Sequence, residues 1–180
     1  MNWDSFIYKY SIDTSSFTCI KILIMKDKDF LSIAIDEAFK GVRGNKGGPF
    51  GAVIVLNGEI IGRGFNMVTS TNDPTAHAEI IAIRDACKNL NTFNLENAVL
   101  YTSCEPCPMC LSAVYWAGIK TVYYSSDQND AEKIGFSDKF IYDELKLDTN
   151  ARSVKMNHID LQKAKELFKE WEDKNDKIEY

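Results

Sequence analysis

The sequence predicts a three-layer α/β fold, a five-stranded mixed sheet with helices on both faces, and three observations carry that prediction. Apolar runs flank the turn dipeptide Asn57-Gly58, the signal of an antiparallel hairpin. Further along, short buried strand patterns alternate with helical ones, as parallel pairing through crossover helices requires. Amphipathic helical periods open and close the chain, so each face of the sheet has something to cover it.

Residues 1–24 mix Ser, Thr, Tyr and Phe without a firm period. They are expected to be an extension, disordered or lying upstream of a true start at Met25. From Asp27 the pattern turns helical, with Leu31, Ala34, Ile35, Ala38 and Val42 on one stripe, and "GNKGG" ends it. The hairpin follows: Phe50 begins its first strand and Asn66 ends its second.

After a polar loop and Pro74, Ile80, Ile83, Ala86, Cys87 and Leu90 recur at helical spacing, which puts His77 and Glu79 in that helix's first turn. "AVLYTSC" reads as a buried strand, and "EPCPMCLSAVYWAG" turns through Pro106 into a helix that Gly118 can end. "IKTVYYSS" is a further strand. "AEKIGFSDKFIYDEL" reads as helical pieces broken at Gly135, and Leu161, Ala164, Phe168 and Trp171 mark a C-terminal amphipathic helix. Residues 25–158 are therefore read as one domain, and 159–180 as its C-terminal helix and tail.

A chain of 180 residues buries enough surface to fold without disulfides or metal. Its 21 basic and 26 acidic residues give a net charge of -5, which argues against a partner held by phosphate neutralisation. The run Phe17–Met25 has Lys21 in its middle and is too short to span a bilayer, so no membrane partner is expected. An odd count of 5 cysteines without a secretory signal points away from a disulfide framework and toward the cytoplasm.

Three of those cysteines, Cys104, Cys107 and Cys110, crowd "LYTSCEPCPMCL". Cys107 and Cys110 fall three apart at a helix start, where the dipole favours the thiolates that bind metal. His77 stands at another helix start, and in an open α/β sheet such starts gather beyond the strands' carboxyl ends. These three side chains can therefore converge as the ligands of a catalytic zinc with one position left for water. On a regular helix Glu79 points away from His77, and it is free to serve as general acid and base rather than as ligand.

"GGPFGAVIV", "NDPTAHAEIIAIRDAC" and "LYTSCEPCPMCLSAVYWA" together resemble the cytidine deaminase-like superfamily of zinc aminohydrolases, closest to its bacterial guanine deaminase branch. The resemblance runs from about Met25 to Tyr180. It implies a cytidine deaminase-like fold and the conversion of guanine and water to xanthine and ammonia in purine salvage or catabolism. His77, Cys107 and Cys110 would hold zinc, and Glu79 would move the proton of the attacking water to the ring.

The same resemblance gives Phe50 and Trp116 as aromatic walls around the base, Asn66 as the amide on the purine edge, and Ala78 as a backbone contact. Core packing remains the other reading of Phe50 and Trp116, and a plain turn residue that of Asn66. Asp138 would help recognise the base or carry the second proton; a helix N-cap is its alternative role. The resemblance further implies a homodimer in which the C-terminal segment crosses over and Tyr180 closes the neighbour's site. Packing of that helix on its own sheet is the competing arrangement.

A tRNA adenosine deaminase, or a deaminase of another small heterocycle such as cytosine, is the rival enzymatic reading. From a different class comes a non-catalytic zinc module, closed by Cys104 as a fourth ligand. Glu79 has no part in such a module.

Overall fold

A computed structural model of the chain describes residues 25–179. The expectations for residues 1–24 and for Tyr180 lie outside the described residues. Helix α1, Asp27–Arg43, opens the domain; the hairpin of β1, Gly51–Leu56, and β2, Glu59–Phe65, follows. A short helix α2, Val68–Thr71, leads to α3, Ala78–Leu90. Strand β3, Val99–Cys104, helix α4, Pro108–Trp116, and strand β4, Thr121–Ser126, form the crossover unit. Helices α5, Gln128–Lys133, and α6, Lys139–Lys146, then a 3-10 turn at Thr149–Ala151 and α7, Gln162–Asp173, complete the chain.

The strands are ordered β2-β1-β3-β4, with β1 antiparallel to both β2 and β3, and β3 parallel to β4. Among the described residues the sheet has four strands rather than the five predicted. Past Ser126 the backbone goes into helices α5 and α6, and residues 155–161 form neither helix nor strand, so no fifth strand adds to β4 among the described residues.

Period-two alternation sorts the side chains of β1 between two cores. Ala52 and Ile54, with Leu100 of β3, face α3 and α4 through Ala78, Ala82, Ala86 and Val114. Val53 and Val55, with Tyr101, face α1 through Phe30 and Ala34. The three layers predicted from the pattern are thus present, α1 on one face and α3 with α4 on the other.

Helix α1 is rotated relative to the expected stripe. Phe30, Ala34, Glu37, Ala38 and Gly41 are its buried residues, whereas Val42 is exposed. Glu37 tolerates this because Lys40 Nζ lies 2.7 Å and Arg63 Nη1 3.0 Å from its carboxylate, so the buried charge is paired.

Glycines draw the helices close to the sheet. A Cβ on Gly64 would stand 2.3 Å from the carbonyl oxygen of Ala78, and one on Gly51 2.2 Å from that of Ala34. Only a bare backbone allows α3 to lie this near β2, and that approach sets the depth of His77 and Glu79.

Candidate active site

Strand polarity gathers the chemistry at one end of the sheet. The start of β1 lies opposite the end of β2, Gly51 facing Phe65, and beside the end of β3, Ala52 facing Thr102. The end of β4 lies there too, Ser126 beside Cys104. Phe50 and Asn66 fall one residue outside the strands they were expected to bound, joined by a hydrogen bond from Asn66 N to Phe50 O of 3.0 Å.

His77 is the N-cap of α3, with extended φ -71° and ψ 157°, and Cys107 is the N-cap of α4, with Cys110 in that helix's first turn. Pro108 suits the first helical position, where its missing N-H costs nothing. His77 Nδ1 lies 3.6 Å from Cys107 Sγ and 3.5 Å from Cys110 Sγ. Tetrahedral zinc, at roughly 2.3 Å from sulfur and 2.0–2.1 Å from nitrogen, separates such ligand atoms by about 3.6 Å. Both nitrogen–sulfur separations therefore match zinc, and all three donor atoms fall within 4.8 Å of one another.

Electrostatics agree with a donor set shaped for a cation. Cys107 is drawn down to about 4, first by its side-chain interaction with Cys110 and also by its hydrogen bond with His77, against the opposing effect of burial. Cys110 is pushed up by keeping its proton beside Cys107, by burial, and by the Glu79 carboxylate. His77 is raised, first by its hydrogen bond with Cys107. Two thiols and an imidazole that share protons in this way exchange them for a metal ion.

Glu79 is 6% exposed. Thr102 Oγ1 donates to its Oε1 at 3.3 Å and Cys110 Sγ to its Oε2 at 3.4 Å, and burial raises its pKa. The i, i+2 spacing does not turn Glu79 away from His77, because the helix begins only at Ala78 and the N-cap histidine lies outside its wheel. Both side chains reach the Cys110 sulfur.

Asn66 is buried and its amide orientation is fixed. Oδ1 accepts from Gly48 N at 3.2 Å and from Val68 N at 3.3 Å, which leaves the Nδ2 hydrogens for another acceptor. Phe50 packs partly against the core and meets Phe136 edge-to-face, with centroids 5.0 Å apart. Asp138 occupies the N-cap position of α6 but makes no capping hydrogen bond with its side chain. Its carboxyl is instead raised by burial, the negative Cys107 and Glu105, with His77 opposing.

Two of the residues weighed above, one of them a ligand only in the rival zinc module, stand outside the trio. Cys104 is buried at the end of β3 and its Sγ donates to Asp127 O at 3.6 Å, outside the ligand trio. Trp116, nine residues beyond Cys107 and thus about 13 Å along α4, is 71% exposed. It lines a separate shallow cleft with Phe93, Tyr115, Lys120 and Glu179. Thr102, Phe136 and Tyr142 were not singled out from sequence; only Thr102, a polar residue inside an apolar strand, left a signal there.

Residues 24–126 match the cytidine and deoxycytidylate deaminase zinc-binding region. The chain belongs to this deaminase family. The deaminase is 47% identical over 156 residues to guanine deaminase of Bacillus subtilis, covering 87% of this chain and 100% of that protein. An X-ray structure of guanine deaminase from Bacillus subtilis aligns with a TM-score of 0.84 over 87% of this chain and 99% of that one. A tRNA-specific adenosine deaminase of Aquifex aeolicus is 40% identical, over 79% of this chain and 91% of that protein. No helix of the described residues is long and apolar enough to cross a membrane.

Proposed function

We propose that this deaminase hydrolyses guanine to xanthine and ammonia. The observation that carries the reading is the extent of the likeness to guanine deaminase of Bacillus subtilis, which spans the whole of that protein in sequence and nearly all of it in structure. Asn66 adds chemical support. With Oδ1 committed to backbone N-H groups it offers only donors, and guanine's N7/O6 edge carries only acceptors, whereas adenine places an N6 donor there.

His77, Cys107 and Cys110 would hold zinc, which when bound would lower the pKa of a water toward neutral. Glu79, steadied by Thr102 and set beside the ligand sulfurs, takes the proton of the attacking water and delivers it to the ring nitrogen next to the amine-bearing carbon. Burial raises its pKa, which suits a group that must first accept a proton and then give it up. The added hydroxyl gives up its proton as it becomes the product carbonyl, and Asp138 serves this second transfer, to the departing amine. Phe50 forms a wall for the base, and Ala78, first residue of α3, offers a backbone N-H that the helix does not use.

The working form is a homodimer whose C-terminal segments exchange, so that Tyr180 closes the partner's site. Helix α7 has no buried residue, and Leu161, Phe168 and Trp171 of its apolar stripe are exposed, which supports a second subunit as their cover. A place for Trp116 beside the base likewise belongs to the assembled dimer, since within one chain it lies away from Cys107. The thiols of Cys107 and Cys110 must stay reduced, and the cytoplasm provides for that.

Incubating the zinc-loaded protein with guanine, adenine, cytosine and a tRNA anticodon stem, and following ammonia, is expected to give release from guanine alone. Release from the tRNA stem would favour the adenosine deaminase reading, and none from any substrate the non-catalytic zinc module. Deleting the last few residues should reduce turnover strongly with zinc intact; unchanged turnover would refute the part given to Tyr180.

A further inference from the structure

Asp138 lies close enough to Cys107 and His77 for their charges to act on its carboxyl. Residues 134–137, which link α5 to α6, are all exposed, and Gly135 takes a left-handed φ of 91° to turn the chain there. Two side chains tie this segment down, one on each side of Asp138. Phe136 meets the ring of Phe50 edge-to-face and lies over Gly48, where a Cβ would come within 2.9 Å of Phe136 Cζ. Tyr142, four residues after Asp138, donates its hydroxyl hydrogen to Pro106 O at 3.1 Å.

Pro106 immediately precedes the ligand Cys107, so the Tyr142 bond joins α6 to the turn that presents the metal donors. The Tyr142 ring is half-buried, and Asp138, Glu105 and Cys107 all act on its hydroxyl. Nothing in the proposed chemistry uses the phenol itself: its proton is committed to a backbone carbonyl. The two anchors bracket Asp138 on the wall of Phe50 at one end and on the metal turn at the other.

We propose that Tyr142, with Phe136 as the second anchor, is a positioning residue that fixes the Asp138 carboxylate relative to the zinc ligands. This rests on the role given to Asp138 above. Misplacing a reacting group by about 1 Å costs up to roughly 100-fold in rate, so the loss of one anchor of two is expected to cost about tenfold.

The test is a double-mutant cycle on the zinc-loaded enzyme with guanine, using Tyr142→Phe, Asp138→Asn and the pair. Tyr142→Phe should lower kcat about tenfold, leave KM within about twofold, and keep zinc content at the wild-type level. In the Asp138→Asn background the same change should lower kcat no further. Phe136→Leu is a second probe and should behave in the same way. Equal losses in both backgrounds, or loss of zinc from Tyr142→Phe, would overturn the positioning role while leaving Asp138's own role intact. Wild-type kcat in Asp138→Asn would instead overturn the role of Asp138, and the positioning role with it.

Discussion

Glu79→Ala is expected to lower kcat by about a thousandfold or more while the protein keeps its zinc and its fold. A single well-placed general acid or base is worth roughly 10²–10⁴ in rate, and Glu79 is asked both to accept the water's proton and to deliver it to the ring. Its carboxylate contributes no atom to the ligand trio, so metal affinity should survive. Stability should survive as well. A carboxyl buried between Thr102 and Cys110 is costly to keep ionised, and alanine removes that cost together with two long hydrogen bonds. Glu79→Gln is the sharper control, because the amide keeps the volume and can still accept from Thr102 but cannot take up a proton. Ammonia release, zinc content by elemental analysis and a thermal melt check all three points. Activity of Glu79→Gln within tenfold of wild type would remove Glu79 from the mechanism, and loss of zinc would recast it as part of the metal site.

The fold was legible where a local period met a matching turn. Asn57-Gly58 between two apolar runs set the hairpin, and Asn57 and Gly58 do adopt the positive φ values, 52° and 80°, that such a turn needs. Strand count was not legible: nothing local says whether a sheet edge receives one more strand. The stripe of α1 is legible at Ala34 and Ala38 but not in its shift from Val42 to Glu37, whose burial depends on pairing with Arg63, 26 residues away. At the site, residue types that ligate zinc revealed themselves by spacing on two helix starts. Their mutual distances did not, and neither did the direction of Glu79, since helical-wheel reasoning assumed that the histidine belonged to the helix. Tyr142 and Phe136 act by what they touch across loops, a tertiary matter that no period encodes.

Cys110→Ala and Cys104→Ser should separate sharply, although the two cysteines stand only six residues apart. Cys110 is fully buried, 3.5 Å from His77 Nδ1, and one of three donors; without it two protein ligands remain, fewer than an open catalytic zinc site uses. Zinc content should fall from about one per chain to a small fraction and ammonia release to background. Cys104 is held otherwise. Its Sγ bonds the Asp127 carbonyl, and burial, followed by the Glu79 charge, pushes its pKa up to about 11, so it stays a neutral thiol rather than a thiolate ligand. Serine in its place keeps a donor for Asp127 O and should leave zinc at the wild-type level with turnover within a few-fold. Elemental analysis of both variants decides between an open site of three protein ligands and a closed one of four. Zinc lost from Cys104→Ser would mean four ligands and no room for the water on which Glu79 is proposed to act.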